Sequence, residues 1–283
     1  MTSTEKEIMK HLILGSSGQI GMALASYYKK KGDTVLHFDI ENALEEDLRI
    51  PNNPVLRNRM EQADFVHFLA FDVGGSRYLK TYQHQQEFLS NNARLMEYTF
   101  AMLKDTKKPF IFASSQMSNM SYSPYGILKA LGESYTRALG GLIVKFWNVY
   151  GIEHDMNKSH VITDFLLKAR DTREINMMTD GTELRQFLHA DDCSACLDIL
   201  STRYAQIPRS IELHVTNFVW NSILEVAKIV AEIYPGTRIN PAKQVDDLQR
   251  DKRNEADPAV LEYWRPEIGL AEGIRLVNDG LPS

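Results

Sequence analysis

The sequence predicts an α/β fold: a doubly wound, mostly parallel sheet with a smaller C-terminal substrate-binding lobe. The first observation is alternation. Short apolar runs at residues 11–14, 34–38, 64–70, 109–113 and 141–147 alternate with helix-like stretches at 22–31, 83–103 and 125–139. Strands separated by helical patterns build parallel sheets, because each parallel crossover needs a covering helix. The second is punctuation: the first apolar run stops at Gly15 and opens a glycine-rich turn before a helix. The third is placement. Gly15, Asp39, Ala70, Ser114, Ser115 and Asn148 all fall at the carboxyl ends of the expected strands, where such sheets bind their ligands.

The glycine turn reads Gly15-Ser16-Ser17-Gly18-Gln19-Ile20-Gly21. Gly15 suits a tight turn, Gly18 lets a backbone approach a pyrophosphate, and Gly21 permits close helix–strand packing. The helix N-terminus then faces the phosphate charge. Asp39 closes the second run, about 20 residues past the loop, where a carboxylate hydrogen-bonds a ribose diol and repels a 2′-phosphate. The expected cofactor is therefore NAD rather than NADP, in a Rossmann unit over 1–152. Residues 153–283 are expected to form mainly the substrate-binding lobe, with 183–204 returning to the first unit.

Tyr125 and Lys129 lie four residues apart and share a helix face. An ammonium beside a phenol favours the phenolate, bringing a group of ordinary pKa about 10 toward general acid/base work. The Ser114-Ser115 pair, ten residues upstream, offers a hydroxyl to hold the substrate oxygen. This is equipment for interconverting an alcohol and a ketone.

Composition bounds the rest. The 283 residues are 43% hydrophobic and 24% charged, with net charge −5 and no basic tract, which argues against a nucleic-acid partner. No apolar segment approaches the roughly 20 residues of a membrane span. Residues 1–10 are polar and lack a signal core, so a cytoplasmic location is expected. Cys193 and Cys196 have no second Cys/His cluster to complete a metal site and read as small buried helix residues.

Jointly these residues resemble the extended short-chain dehydrogenase/reductase family, in its nucleotide-sugar epimerase, dehydratase and reductase group. The likeness also takes in Asp47-Leu48, Phe68-Leu69-Ala70, Asn148-Val149-Tyr150-Gly151 and the run from Arg185 to Asp192. It implies a cofactor site of Gly15, Gly18, Gln19, Ile20, Gly21, Asp39, Asp47, Leu48, Leu69, Ala70, Tyr125 and Lys129, with Asp47 and Leu48 by the adenine. It further implies Asn148 near the substrate pyrophosphate, Arg185 on nucleotide phosphate or ribose, and Arg253 or else Arg250 as a second cation. Val73-Gly74-Gly75 and Ser159-His160-Val161-Ile162 are similar to loops of GDP-fucose synthase and GDP-mannose 3,5-epimerase. That likeness makes Gly74 and Gly75 substrate contacts, leans the substrate toward a GDP-sugar, and casts His160 as a carbon acid/base. A plain polar contact at a helix N-terminus remains the other reading of His160.

Two departures shape the expectation. Gln116 and Met117 stand where those enzymes carry a cysteine base, and no Asp-Glu dehydratase pair is present. The short segment before Tyr125 leaves open which serine faces the substrate, with Ser115 the first choice. The expected activity is an NAD-dependent epimerase of a nucleoside-diphosphate sugar. A 4-reductase and a non-catalytic NAD-binding sensor are the alternatives. The resemblance also implies a homodimer through the 83–103 and 125–139 helices, whose Phe88, Leu95, Met96, Phe100 and Leu103 fit either core or interface.

Overall fold

The computed structural model describes residues 8–153, 155, 158–246 and 254–281. Its first half runs β1 (Lys10–Leu14), α1 (Gln19–Lys31), β2 (Thr34–Phe38), α2 (Pro54–Gln62), β3 (Phe65–Phe68), α3 (Ser76–Tyr82) and α4 (Gln86–Thr106). It continues through β4 (Phe110–Ser115), α5 (Pro124–Leu139), β5 (Leu142–Phe146) and β6 (Asn148–Tyr150). The second half runs α6 (Val161–Thr172), β7 (Glu174–Asn176), β8 (Leu184–His189), α7 (Ala190–Thr202), β9 (Leu213–Val215), β10 (Trp220–Ser222), α8 (Ile223–Ile233), β11 (Arg238–Asn240) and α9 (Leu270–Gly280).

The main sheet has the order β2-β1-β3-β4-β5-β9, and every pairing in it is parallel. The chain leaves β1 toward β2 and returns to β3 on the other side. A crevice therefore opens where the strand order reverses, beyond the carboxyl ends of β1 and β3. Both faces are covered, as parallel strands require. One core joins Leu12, Leu14, Phe68 and Phe112 to Met96 and Phe100 of α4 and Leu128 of α5. The other joins Ile13, Ile111 and Val144 to Leu24 of α1 and Cys193, Cys196 and Leu197 of α7. The two cysteines are free, and burial raises both thiols, so they are packing residues. A third core, including Ile162, Leu166, Val226, Val230 and Ile274, holds α6, α8 and α9 together.

Three sequence expectations change. Gly21 belongs to the first turn of α1, so the glycine loop is shorter and the helix starts at Gln19 rather than at residue 22. The helix expected over 83–103 is α4, which starts three residues later at Gln86 and runs on to Thr106: the backbone is extended at Gln85, and buried Gln83, in the turn after α3, is tied through its side-chain oxygen to the Ser123 hydroxyl at 3.0 Å. Phe88, Leu95, Met96, Phe100 and Leu103 are all buried within the chain and are core, not interface. The apolar residues left exposed there are Leu89 on α4 and Ile127, Leu131 and Tyr135 on α5. Among the described residues no helix is long and apolar enough to cross a membrane.

Beneath the amino ends of β1 and β3 lies a buried polar cluster. The Tyr28 ring of α1 stacks on His11 at 3.7 Å, and its hydroxyl reaches His67 Nε2 at 3.1 Å and Ser201 Oγ of α7 at 3.3 Å. Burial pushes His11 down to about 4, against the opposing pull of Asp33 and Asp198. Both imidazoles therefore fold in the neutral form, His67 being held well down by its own burial. Between pH 6.5 and about 4 the unfolded chain takes up a proton at His11 that the folded chain refuses, so stability falls as the pH drops through that window. For His11 alone the drop amounts to about 3 kcal/mol. His11→Phe, which keeps an aromatic ring against Tyr28, should flatten the acid limb of urea-unfolding free energy measured from pH 7 to 4.

Candidate active site

The switch-point crevice is a cleft of about 950 Å³, at the upper end of the size range of small-molecule sites. The loop between β1 and α1 forms its floor. Gly15 has φ +89°, and a Cβ there would stand 2.7 Å from the Ala70 backbone, so the crossing of the β1 and β3 ends requires glycine. A Cβ on Gly21 would sit 2.1 Å from the Gly15 carbonyl oxygen, which fixes α1 tightly against the loop. Gly18 differs. Within 4 Å an added Cβ would meet only the Gly15 carbonyl oxygen, at an ordinary 3.5 Å, so packing does not demand glycine there. What its bare backbone leaves open is the cleft.

Gly18 caps α1 without a side-chain hydrogen bond, and the first turn carries no acidic residue. An uncapped thirteen-residue helix aimed into a cleft is a place for an anion. Asp39 at the end of β2 accepts the Ser17 N–H at 2.8 Å and the Glu41 N–H at 3.0 Å. This fixed carboxylate suits a ribose diol and opposes an added phosphate. Leu48, Leu69 and Ala70 supply apolar wall, and the Leu69 and Ala70 N–H groups both donate to the Leu14 carbonyl. Asp47 also lines the cleft, but Arg49 clamps it at 2.8–3.1 Å. Burial would raise that carboxyl, and the Arg49 hydrogen bonds and charge outweigh it and hold it below the usual range. These residues fit a dinucleotide: the N-terminus of α1 would hold its pyrophosphate, and Asp39 and Leu48 would receive its adenosine.

Above the floor, Ser115, Tyr125 and Lys129 meet. Strand alternation separates the two serines. Ser115 hydrogen-bonds the Tyr125 phenol and accepts the Met117 N–H at 3.1 Å. Ser114 donates instead to Glu133 of α5, at 2.6 Å. The expected lowering of the tyrosine is not found in the ligand-free chain. Burial pushes Tyr125 up to about 12, and only the Ser115 bond pulls against it. Lys129 is 3% exposed and pushed down to about 7 by burial, opposed by the charge of Glu133. Its Nζ donates to the Ala113 carbonyl at 2.7 Å and lies 3.7 Å from the Phe71 ring centroid, but 5.7 Å from that of Tyr125.

The opposite wall carries the second set. A Cβ on Gly75 would meet the Ser159 carbonyl at 2.5 Å, one on Gly74 would meet Tyr78 at 2.8 Å, and the Gly75 N–H donates to the Lys158 carbonyl at 3.0 Å. These glycines let the loop after β3 touch the segment before α6, which brings His160 to the cleft. His160 caps α6, and its Nδ1 lies 2.6 Å from Glu153 Oε1, while its N–H donates to the other carboxylate oxygen at 3.0 Å. Glu153 is buried, and burial alone would raise it, yet the hydrogen bonds and charge of His160 hold it down as a carboxylate. In the neutral tautomer that donates Nδ1–H to that carboxylate, Nε2 is the acceptor. Asn148 lines the cleft, and its buried Oδ1 has no hydrogen-bond partner among the described residues.

Arg185 does not join this set. It is not among the residues that line the cleft, and it pairs with Asp246 and donates to the Leu184 carbonyl. Arg250 and Arg253 lie outside the described residues. Sequence reasoning missed Glu153, Phe71 and Asn254, whose amide donates to Gln116 Oε1 at 2.6 Å. Only spacing to His160 could have suggested Glu153, and contacts at long range carry no local signal. Among the described residues no group of His, Cys, Asp and Glu could hold a metal ion.

Comparison with known proteins agrees with this geometry. The model of the NAD dependent epimerase/dehydratase family matches residues 11–215. The chain belongs to that NAD-dependent epimerase/dehydratase family of enzymes. It is similar to GDP-L-fucose synthase of Escherichia coli K12, 26% identical with 93% of each chain covered. GDP-L-fucose synthase of Sinorhizobium fredii is 26% identical over 53% of this chain, and the match spans about half (51%) of that relative's length. UDP-glucuronic acid decarboxylase 1 of Xenopus tropicalis is 20% identical over 96% of this chain and 72% of that one. In fold, the chain superposes on a GDP-6-OMe-4-keto-L-xylo-heptose reductase from C. jejuni with a TM-score of 0.81 at 17% identity, covering 96% and 97% of the two chains. The UDP-glucose 4-epimerase of Thermotoga maritima gives 0.78 at 18%, covering 96% and 98%.

The loop geometry makes a contrast testable. Gly32 also has a positive φ (+86°), but an added Cβ there meets nothing within 4 Å. Gly32→Ala should cost about 1–2 kcal/mol from backbone strain alone. Gly15→Ala adds the collision with Ala70 and should lower the urea-unfolding free energy clearly further.

Proposed function

We propose that this chain is an NAD-dependent epimerase of a nucleoside-diphosphate sugar, acting through transient oxidation to a keto-sugar. The observation that carries this reading is that Ser115, Tyr125 and Lys129 line the same cleft as a Glu153-backed His160. NAD bound on the Gly15–Gly21 loop supplies a hydride acceptor that later returns the hydride, and in its oxidised form a positive charge beside the site. Tyr125 takes the proton of a sugar hydroxyl as the hydride leaves the same carbon, and the Ser115 hydroxyl holds the oxygen that becomes the carbonyl. Lys129 favours the phenolate when it is charged.

The new carbonyl acidifies the carbon next to it. His160 Nε2 removes that carbon's proton, the Glu153 carboxylate steadies the imidazolium, a proton from water returns on the other face, and the hydroxide left behind takes the imidazolium's proton to restore His160. Tyr125 then gives its proton back to the oxygen as the carbonyl is reduced. Asn148, with its unpaired buried oxygen, suits a donor on the substrate. The GDP-L-fucose synthase relatives, with the Val73-Gly74-Gly75 and His160 segments, lean the substrate toward a GDP-sugar. A net 4-reductase is the second reading. It is favoured by Gln116, a neutral amide on the cleft wall where a second carbon base would be needed for inversion at two centres.

We assign the nucleotide unit to 1–152 and the substrate lobe mainly to 153–283. The exposed Ile127, Leu131 and Tyr135, spaced along one face of α5, support a homodimer that covers them with a second copy.

The test is incubation with NAD and GDP-, UDP- and dTDP-hexoses in deuterated water, followed by NMR. A product isomer carrying deuterium on carbon is expected. His160→Gln should cut its formation by about 10²–10⁴-fold while leaving single-turnover NADH formation, and Tyr125→Phe should abolish both. An isomer without deuterium would mean direct hydride return and a positional His160. Turnover only of keto-sugars with consumption of NADH would sink the epimerase reading in favour of the reductase.

A further inference from the structure

Lys129 has no carboxylate in direct contact to hold its ammonium. Its Nζ has one carbonyl, Ala113, and otherwise faces the rings of Phe71, Phe112 and Tyr125 at 3.7, 5.3 and 5.7 Å from their centroids. Burial drives such an amine toward its neutral form, and a neutral amine does nothing to favour a phenolate. The acidic side chain that acts on it is Glu133, one turn further along α5 and 4% exposed.

Glu133 is itself built into place. Ser114 of β4 donates to its Oε1 at 2.6 Å, and Arg137 of α5 reaches its Oε2 at 3.2 Å. Lys145 of β5, 1% exposed and paired in register with Ser114, lies 3.8 Å from Oε1. Lys145 is in turn held by Glu212 at 2.8 Å and Asn119 at 3.4 Å. A buried carboxylate with this many fixed donors cannot swing away. Ser114 thereby has a role of its own: it anchors the carboxylate.

We propose that Glu133, fixed by Ser114 and Lys145, is the positioning residue that keeps Lys129 charged, and so sets the pH range over which the Tyr125–Lys129 pair works. Glu133 touches neither substrate nor phenol and acts through Lys129. The proposal rests on that pair being the redox acid/base set but not on the identity of the reaction. The charged and titratable groups facing the pair are Tyr125 and Glu133 on α5 and Lys145 on β5, with Arg137 and Glu212 at the outer rim. The sign follows directly: removing the negative charge lowers the pH at which Lys129 loses its proton.

The experiment is a pH titration of the Lys129 side-chain ¹³Cε signal in the ligand-free protein, assigned with Lys129→Arg, for wild type, Glu133→Gln and Glu133→Asp. In Glu133→Gln the midpoint should move to lower pH by about one unit or more, equivalent to a tenfold change in the equilibrium. Glu133→Asp keeps the charge one methylene further back, and should fall between the two. If Glu133→Gln does not fold cooperatively, the aspartate variant alone decides, a lowered midpoint being expected. An unmoved midpoint in a folded variant overturns the proposal. Once a substrate is in hand, the alkaline limb of kcat should move with the NMR midpoint while KM changes little. A uniform loss of kcat at all pH values with no shift of that limb would leave Glu133 merely structural and also overturn it. Because the titration uses no substrate, its result stands whichever reaction the cleft performs.

Discussion

Burial of the Lys129 amine is the constraint around which the site is arranged. The side chain is 3% exposed beneath Phe71, with one carbonyl as hydrogen-bond partner. Such a group is costly to keep charged, and the surroundings are organised to limit that cost: Ala113 offers its carbonyl, aromatic faces line the path, and Glu133 stands one turn below. The same dryness raises Tyr125 to about 12, so the resting phenol is protonated. Tyrosine and lysine thus sit on opposite sides of their ordinary values for one physical reason, and positive charge delivered to the cleft has a large lever to act on.

The cleft has two walls of different origin. The floor and one wall come from the parallel sheet, whose order reversal between β1 and β3 creates the opening. The facing wall comes from the chain after β6, where Glu153 holds His160. Contact between the walls depends on Gly74 and Gly75, since a side chain at either would collide with Tyr78 or with the 158–160 segment. The Ser115, Tyr125 and Lys129 wall and the His160 wall therefore meet only because two glycines let the walls close.

Much of the fold was legible beforehand, because parallel strands buried on both faces write themselves as continuous apolar runs. β1, β2, β3, β4 and β5 all fall within or across the runs read from sequence. The misreadings are local. The helix expected from residue 83 starts only at Gln86, because Gln83 sits in the turn after α3 with a buried tertiary partner in Ser123, and tertiary partners leave no periodic trace. The apolar residues of α4 gave no sign of whether they faced the sheet or a second copy, since both environments demand the same side chains. β9 joined the main sheet from far along the chain as a three-residue strand, too short for any pattern.

At the site, the sequence by itself determined the chemistry available. Gly15 and Gly21 are dictated by backbone geometry, Asp39 by its place at a strand end, and Tyr125 and Lys129 by helical spacing. All of these are short-range relations between residue type and position. Only the tertiary structure decided how that chemistry is tuned and aimed. It turned Ser115 to the phenol and Ser114 to Glu133, drew Arg185 off to Asp246, and set Glu153 behind His160. Proton affinities followed the same division: a pair whose spacing predicts a lowered tyrosine is instead spread to about 12 and about 7 by burial. Desolvation and partner choice depend on what the rest of the chain packs around a group, and that is a property of the folded volume rather than of any local run of residues.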